Sequence, residues 1–351
     1  MKNLSLKIFI ILSLFVTGFL QADNKDSIYV ITDTVGFKEG YLIITITKPE
    51  GNGPFKSVFF IPGYTCFPVA KLGKHPYGQL LDGLTQKGYL TFRVEKPGMG
   101  ESKNTPACDL IDFQTEVDAF IAGYKKLFTY DIVDKENVFI FGHSLGGIEA
   151  PIVALEKQPK GVIVCGTVAK TWYEYVLEMF RFQNIASGAD FIENEKLMQV
   201  MIPMLFEYLV QKKTPLELSS NPEYKKALEE QMEFKGGEQI WSRHYSYWQG
   251  IQSRNIVEDW KNMNSAVLVI RGEGDFEAFS NTDHQMIADI VNSYNPGKGK
   301  FILIPNMDHG FAKAKTPQES MKNRQEIKGY FRDYFNPVII EETDNWIKSL
   351  E

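Results

Sequence analysis

The sequence predicts an α/β fold, a mostly parallel sheet flanked by helices, and three observations predict it. Short apolar runs rich in β-branched and aromatic residues recur at 57–61, 90–94, 138–141, 161–165, 266–270 and 300–304, and such runs read as buried strands. Helix-compatible stretches at 76–87, 113–128 and 145–157 stand between the earlier ones, the alternation of a doubly wound sheet. After Val168 that alternation stops. From about 170 to 262 the chain reads as consecutive helices, with breaks at Ser187-Gly188, Pro203, Thr214-Pro215 and Gly236-Gly237.

Taken in order, residues 28–33 and 40–48 alternate apolar and polar side chains, which predicts two antiparallel edge strands. The run Ser57–Ile61 breaks into Pro62-Gly63-Tyr64-Thr65-Cys66. A proline-glycine turn is an ordinary strand exit, and it also leaves one backbone N–H, that of Tyr64, free to face a reacting group. The run Val138–Phe141 leads directly into Gly142-His143-Ser144-Leu145-Gly146-Gly147, and Ile148–Glu156 suits a helix. A serine at such a strand-to-helix turn is held in a strained conformation, and its neighbours must be small to avoid collisions. The turn lifts Oγ clear of the backbone over a helix N-terminus, where N–H groups can stabilise a developing oxyanion. The N–H of Leu145, next after the serine, is the second candidate donor.

Such a serine needs a base, and the base needs an orienting acid, in chain order Ser, Asp/Glu, His. Of the five histidines, His75 precedes the turn and His143 lies within it, pointing away. His244 falls in an aromatic helical stretch and His284 opens a helix, so both read as surface or capping residues. His309, in the loop that follows Lys300–Ile304, is the candidate base. The acid belongs on the loop after Ala266–Gly272, because reactive groups gather at the carboxyl ends of parallel strands. Asp275, with its short reach after Gly274, is the candidate there; Glu273 and Glu277 are its competitors, and Asp308 reads as a loop hydrogen-bonder.

With these parts assembled, the chain resembles the α/β-hydrolase superfamily from about residue 40 to about residue 335. The resemblance rests on Leu90–Ser102 with its Gly98-x-Gly100-x-Ser102 turn, on Gly142–Gly147, on Gly272–Phe276 and on Asp308–Phe311. The form Gly-His-Ser-Leu-Gly-Gly is similar to those of esterases, lipases and thioesterases. It implies a mostly parallel eight-stranded sheet with a helical cap, and a catalytic set of Ser144, Asp275 and His309. The oxyanion segment lacks the His-Gly of many members, which leaves the choice of N–H open. The domain reading is a signal peptide at 1–22, a core at 23–169 and 263–351, and a cap insertion at 170–262. Nine aromatics of the insertion (Trp172, Tyr173, Tyr175, Phe180, Phe182, Trp241, Tyr245, Tyr247, Trp248) divide between its own core, which takes most of them, and a substrate pocket. Cys66 and Cys108 fall on two loops at one edge of the sheet, joined by a disulfide or left as two free thiols; Cys165 reads as a buried hydrophobe.

Lys2 and Lys7 precede the apolar run Ile8–Leu20, which ends at Gln21-Ala22-Asp23. That run falls short of the roughly 20 residues a membrane span needs. It fits a secretory signal peptide cleaved after Ala22, hence export to the periplasm or beyond; an uncleaved anchor is the alternative. The 351 residues suffice for one domain plus an insertion, and a net charge of −6 argues against nucleic acid or an anionic membrane as partner. No phosphate-binding loop, dinucleotide-type glycine cluster or Cys/His metal spacing occurs, so neither cofactor nor metal is implied. The expected activity is hydrolysis of a small acyl substrate, an ester before all. A serine peptidase, a non-catalytic binding protein and an acyltransferase on the same fold are the alternatives. For the peptidase, Glu174, Glu178 or Glu193 would bind a free amino terminus. Oligomeric state is not readable from the sequence.

Overall fold

A computed structural model describes residues 28–351; the signal-peptide expectation for 1–22 lies outside them. The chain opens with β1 (Tyr29–Phe37), β2 (Gly40–Lys48) and β3 (Phe55–Ile61). Then follow α1 (Pro76–Gln86), β4 (Leu90–Val94), α2 (Phe113–Leu127), β5 (Val133–His143), α3 (Gly146–Glu156) and β6 (Gly161–Cys165). A helical stretch comes next: α4 (Trp172–Ala186), α5 (Phe191–Leu205), α6 (Pro215–Leu218) and α7 (Pro222–Gln231). A hairpin of β7 (Gln239–Ile240) and β8 (Arg243–His244) leads to α8 (Tyr245–Gln252) and α9 (Ile256–Lys261). The sheet resumes with β9 (Ala266–Gly272), α10 (Asn281–Tyr294) and β10 (Gly299–Ile304). The chain closes with α11 (Pro317–Glu326), α12 (Tyr330–Asp333) and α13 (Val338–Lys348).

Eight strands form one sheet in the order β1-β2-β4-β3-β5-β6-β9-β10. β2 is antiparallel to both its neighbours while the remaining pairs from β4 to β10 are parallel. Only β1 of the first hairpin is an edge strand. β2 lies inside, and six of its residues from Leu42 to Thr47 are buried on both faces, so its apparent alternation does not mark a solvent face.

Parallel pairing sets the functional edge. Ile61 is level with Gly142, His143 with Cys165, and Ile304 with Gly272. The exits of β3, β5, β6, β9 and β10 therefore open at one end of the sheet, where its loops can share a crevice. Packing explains why the strands stay put. Phe59, Phe60, Ile140, Phe141, Val162, Ile163, Val269 and Ile270 are fully buried between helices on the two faces, each contributing about 1.5–3 kcal/mol by leaving water. Helix starts are marked locally: Asp112 accepts from the Thr115 N–H, and Thr171 with Glu174 closes a capping box on α4.

Two details of the stretch between β6 and β9 depart from expectation. Pro203 does not break α5; the helix runs through it and widens into a π-helical turn, Phe206–Val210. A proline removes one N–H and crowds the preceding turn, and a widened turn is one way a helix accommodates such a defect. Gly236-Gly237 leads not into another helix but into the β7–β8 hairpin, whose strands are too short to announce themselves by periodicity.

Candidate active site

Ser144 sits at the exit of β5 with φ +56°, the left-handed region that costs a non-glycine residue roughly 1–2 kcal/mol. Its N–H donates to the Cys165 carbonyl at 2.9 Å, and α3 starts two residues later. A side chain at Gly146 would meet the Ile61 carbonyl oxygen at 2.3 Å, so the turn closes only with glycine there. Among the described residues, neither the Leu145 N–H nor the Tyr64 N–H donates to a protein acceptor. Gly63 lies against the serine: a Cβ on it would stand 3.1 Å from Ser144 Cβ. Both free N–H groups thus belong to segments flanking Ser144.

His309 follows β10, and its Nδ1 meets Asp275 Oδ2 at 2.9 Å. Asp275 is anchored in turn. Its other oxygen accepts from the N–H groups of Glu277 and Ala278, each at 2.8 Å. Burial by itself would raise the Asp275 pKa, but His309 and these N–H groups hold it well below the carboxylate range. Burial would likewise lower the His309 pKa, yet Asp275 and then Glu277 outweigh it and raise it to about 9. Behind this pair stands Gly166, φ +64°, where a Cβ would fall 2.9 Å from His309 Nδ1.

The competing acids are placed elsewhere. Glu273 accepts from the Asn306 N–H, and Asp308 from the Ala312 N–H and the Ser320 hydroxyl. Glu277 takes the opposite side of the ring: its Oε2 lies 3.4 Å from His309 Nε2, while Oε1 accepts from Arg324 at 2.8 Å. No hydrogen bond joins Ser144 Oγ to Nε2 among the described residues. Serine and imidazole instead meet at the walls of two cavities that both contain them, and such contacts often tighten only with substrate bound.

The first cavity, about 370 Å³, is walled by Trp172, Tyr175, Phe180, Trp241 and Trp248 from the helical stretch above the sheet. Five of the nine aromatics named from the sequence therefore face the site. The expected division into core and pocket is not a partition: Trp172, Phe180 and Trp248 are buried in the core and also present a face to the cavity, where the tryptophans stack on one another. The second cavity, about 660 Å³, opens on the other side of Ser144 between Phe67, His75, Tyr77, Ile327, Tyr330 and Phe331. Glu174, Glu178 and Glu193 line neither one; Glu174 caps α4, and the other two pair with Lys170 and Lys196.

Several supporting residues escape sequence reasoning. His143 joins α1 to the His309 loop: its Nε2 donates to the His309 carbonyl at 2.8 Å and its Nδ1 accepts from Tyr77 Oη at 2.6 Å. Burial, reinforced by the charge of His309, takes its pKa down to about 3, so the ring is neutral. Tyr77 Oη also accepts from the Gly63 N–H at 3.3 Å, which links the Gly63 loop to the His309 loop. His284 is neither a surface nor a capping residue. It is fully buried, accepts from the Thr167 N–H and donates to the Ser280 carbonyl, and burial lowers its pKa to about 4. Beneath the site Lys96, Glu116 and Arg243 form a buried ion cluster. Lys96 is within a recognisable turn motif, yet nothing in the spacing marks its partners at positions 116 and 243.

Chemically, the arrangement offers a half-buried hydroxyl that lines both cavities, an imidazole oriented by a carboxylate, and unpaired N–H groups beside them. Esterase EstD of Thermotoga maritima is 26% identical over 165 residues, 45% of this chain. The match spans 39% of that relative's length. Among solved structures, Est1E from Butyrivibrio proteoclasticus with ferulic acid bound aligns over 91% of this chain and 98% of its own, with a TM-score of 0.57 at 15% identity. Carboxyl esterase 2 from Tuber melanosporum aligns over 94% and 88%, with a TM-score of 0.51 at 14% identity. These likenesses share the sheet and its flanking helices. The family described as serine aminopeptidase, S33, matches residues 74–313; this chain belongs to that family, within the α/β-hydrolase superfamily.

Proposed function

We propose that this chain is an exported serine hydrolase that cleaves carboxylic esters through an acyl-enzyme. The observation that carries the reading is the 2.9 Å bond between His309 and Asp275 at the mouth of two cavities that both reach Ser144. Ser144 Oγ attacks the ester carbonyl and gives its proton to His309 Nε2, while Asp275 holds the ring and stabilises the imidazolium. The N–H groups of Tyr64 and Leu145 receive the negative charge on the carbonyl oxygen. His309 then protonates the departing alkoxide, and a water activated by the same ring releases the acid. The two cavities take the two sides of the scissile bond, the aromatic one holding an apolar group. Export is supported by the leader pattern of 1–22 and by the bond that joins Cys66 to Cys108, since structural disulfides belong to oxidising compartments.

Peptidase activity is the second reading, favoured by the family's description and by Glu277, a carboxylate at the junction of both cavities that suits a substrate ammonium. One experiment separates the two. Purified mature protein is assayed on p-nitrophenyl esters of increasing chain length and on aminoacyl p-nitroanilides, beside Ser144→Ala. Ester turnover that Ser144→Ala abolishes, with the anilides inert, is the expected result. Turnover of anilides alone transfers the assignment to a peptidase, and full ester activity in Ser144→Ala overturns the role of the serine.

A further inference from the structure

The Gly63 and Tyr64 carbonyls are both held by buried cations. Lys96 Nζ donates to the Gly63 carbonyl at 2.6 Å and to Glu116 Oε1 at 2.8 Å. Arg243 donates through Nη1 to the Tyr64 carbonyl at 2.5 Å and through Nη2 to Glu116 Oε2 at 2.8 Å. Tyr247 adds a bond to Glu116 at 3.0 Å, and the Arg243 guanidinium lies 3.7 Å from the centre of its ring. Lys96, Glu116 and Arg243 are shut away from solvent, so water does not compete for these bonds.

A trans peptide points its C=O and N–H in opposite directions. A cation that fixes the Gly63 carbonyl therefore fixes where the Tyr64 N–H points. Without it, that peptide would be free to turn over and present its carbonyl to the reacting oxygen, replacing a donor with a repulsive acceptor. The Tyr64 N–H has no protein acceptor among the described residues, and Gly63 just before it lies against Ser144. The cation does a second thing: it draws electron density toward the carbonyl and makes the opposite N–H a stronger donor. Arg243 pins the next peptide in the same way, so two successive carbonyls hang from cations that share the one carboxylate of Glu116.

We propose that Lys96 is a positioning residue for acyl transfer, whose ammonium sets the Gly63–Tyr64 peptide so that its N–H serves the oxyanion. Arg243, reaching down from the β7–β8 hairpin, makes the helical stretch above the sheet part of the same device. The inference rests on the reading of the Tyr64 N–H as an oxyanion donor.

The test compares Lys96→Met with wild type on an aryl ester and on the matching thionoester, whose sulfur draws little from an oxyanion site. For the ester kcat falls on the order of 10²-fold, the loss typical of one donor, while KM and the pH profile set by His309 hold. The thionoester loses much less, and Lys96→Gln, which keeps an N–H for the carbonyl, recovers part of the ester rate. Equal losses on both substrates, a displaced pH profile or an unchanged ester rate would overturn the proposal. If Lys96→Met does not fold, a crystal structure of the wild type with a boronic acid on Ser144 decides. The boronate oxygen accepting from Tyr64 N–H, with Lys96 still on the Gly63 carbonyl, supports the proposal. A Gly63 carbonyl released from Lys96 overturns it. A boronate oxygen held elsewhere removes the oxyanion reading of Tyr64, and the proposal with it.

Discussion

His309 lies between two carboxylates, Asp275 at Nδ1 and Glu277 near Nε2, and this sets the pH at which it can accept a proton. Both charges favour the imidazolium, which cannot serve as a base. With a pKa near 9, kcat/KM should climb as pH rises from 7 through 9. Glu277→Gln removes one of the charges, so the rise should move to lower pH and activity at pH 7 should increase several-fold; a pH–rate profile of both proteins checks this. An unmoved profile would mean that Glu277 does not reach the ring in solution. At this scale the sequence is informative where a residue stands at the end of a strand. Ser144, Asp275 and His309 each follow a buried strand by a few residues, and parallel pairing brings strand ends together. Lys96, Glu116 and Arg243 are a different matter, because their partnership is made by tertiary packing and leaves no spacing to read. Glu277 illustrates the same limit: its neighbourhood was evident, but which ring nitrogen it would face was not.

Turns and loops bear the geometry of the proposed site at the scale of elements. The loop after β6 shows how little room they leave. Gly166 backs directly on the bond between His309 and Asp275. Gly166→Ala should cost about 1 kcal/mol of stability through its positive φ, yet reduce kcat by well over tenfold by pushing the ring off Asp275. Denaturant titration and steady-state kinetics measured side by side test this disproportion; a kinetic loss no larger than the stability loss implies would count against it. Elements with a long, uninterrupted pattern were readable: α1, α2 and α3 end within a residue or two of the expected bounds. The β7–β8 hairpin was not, having two residues per strand, although it delivers Arg243. β2 deceived for another reason. Its alternation is between two kinds of buried residue, since Thr45 and Thr47 are as enclosed as Ile44 and Ile46.

Across the whole molecule, one end of the sheet gathers the exits of β3, β5, β6, β9 and β10, and the Cys66–Cys108 bond ties the β3 exit to the loop beyond β4. It spans 42 positions, for which chain entropy predicts a loss of about 3–4 kcal/mol when the bond is absent. A Cys66→Ser, Cys108→Ser double variant should show that loss in urea unfolding, and alkylation followed by mass spectrometry should find one modifiable thiol, Cys165, in the denatured wild-type protein. Two further alkylated sites without reductant would contradict the pairing. No helix among the described residues is long and apolar enough to cross a membrane. The fold class was legible because alternation of strand and helix leaves few topologies open. The use of the aromatics was not, because a sequence cannot say which side of a ring meets empty space. That last point bears on engineering. Trp172 stacks on Trp248 at 5.4 Å and 12°, and Trp241 meets the same ring edge-on at 5.4 Å. The wall of the aromatic cavity is thus also the joint between α4, the hairpin and α8. A designer who carves one tryptophan away to admit a bulkier guest loosens the roof along with the wall, so new selectivity must come from exchanging the three as a set.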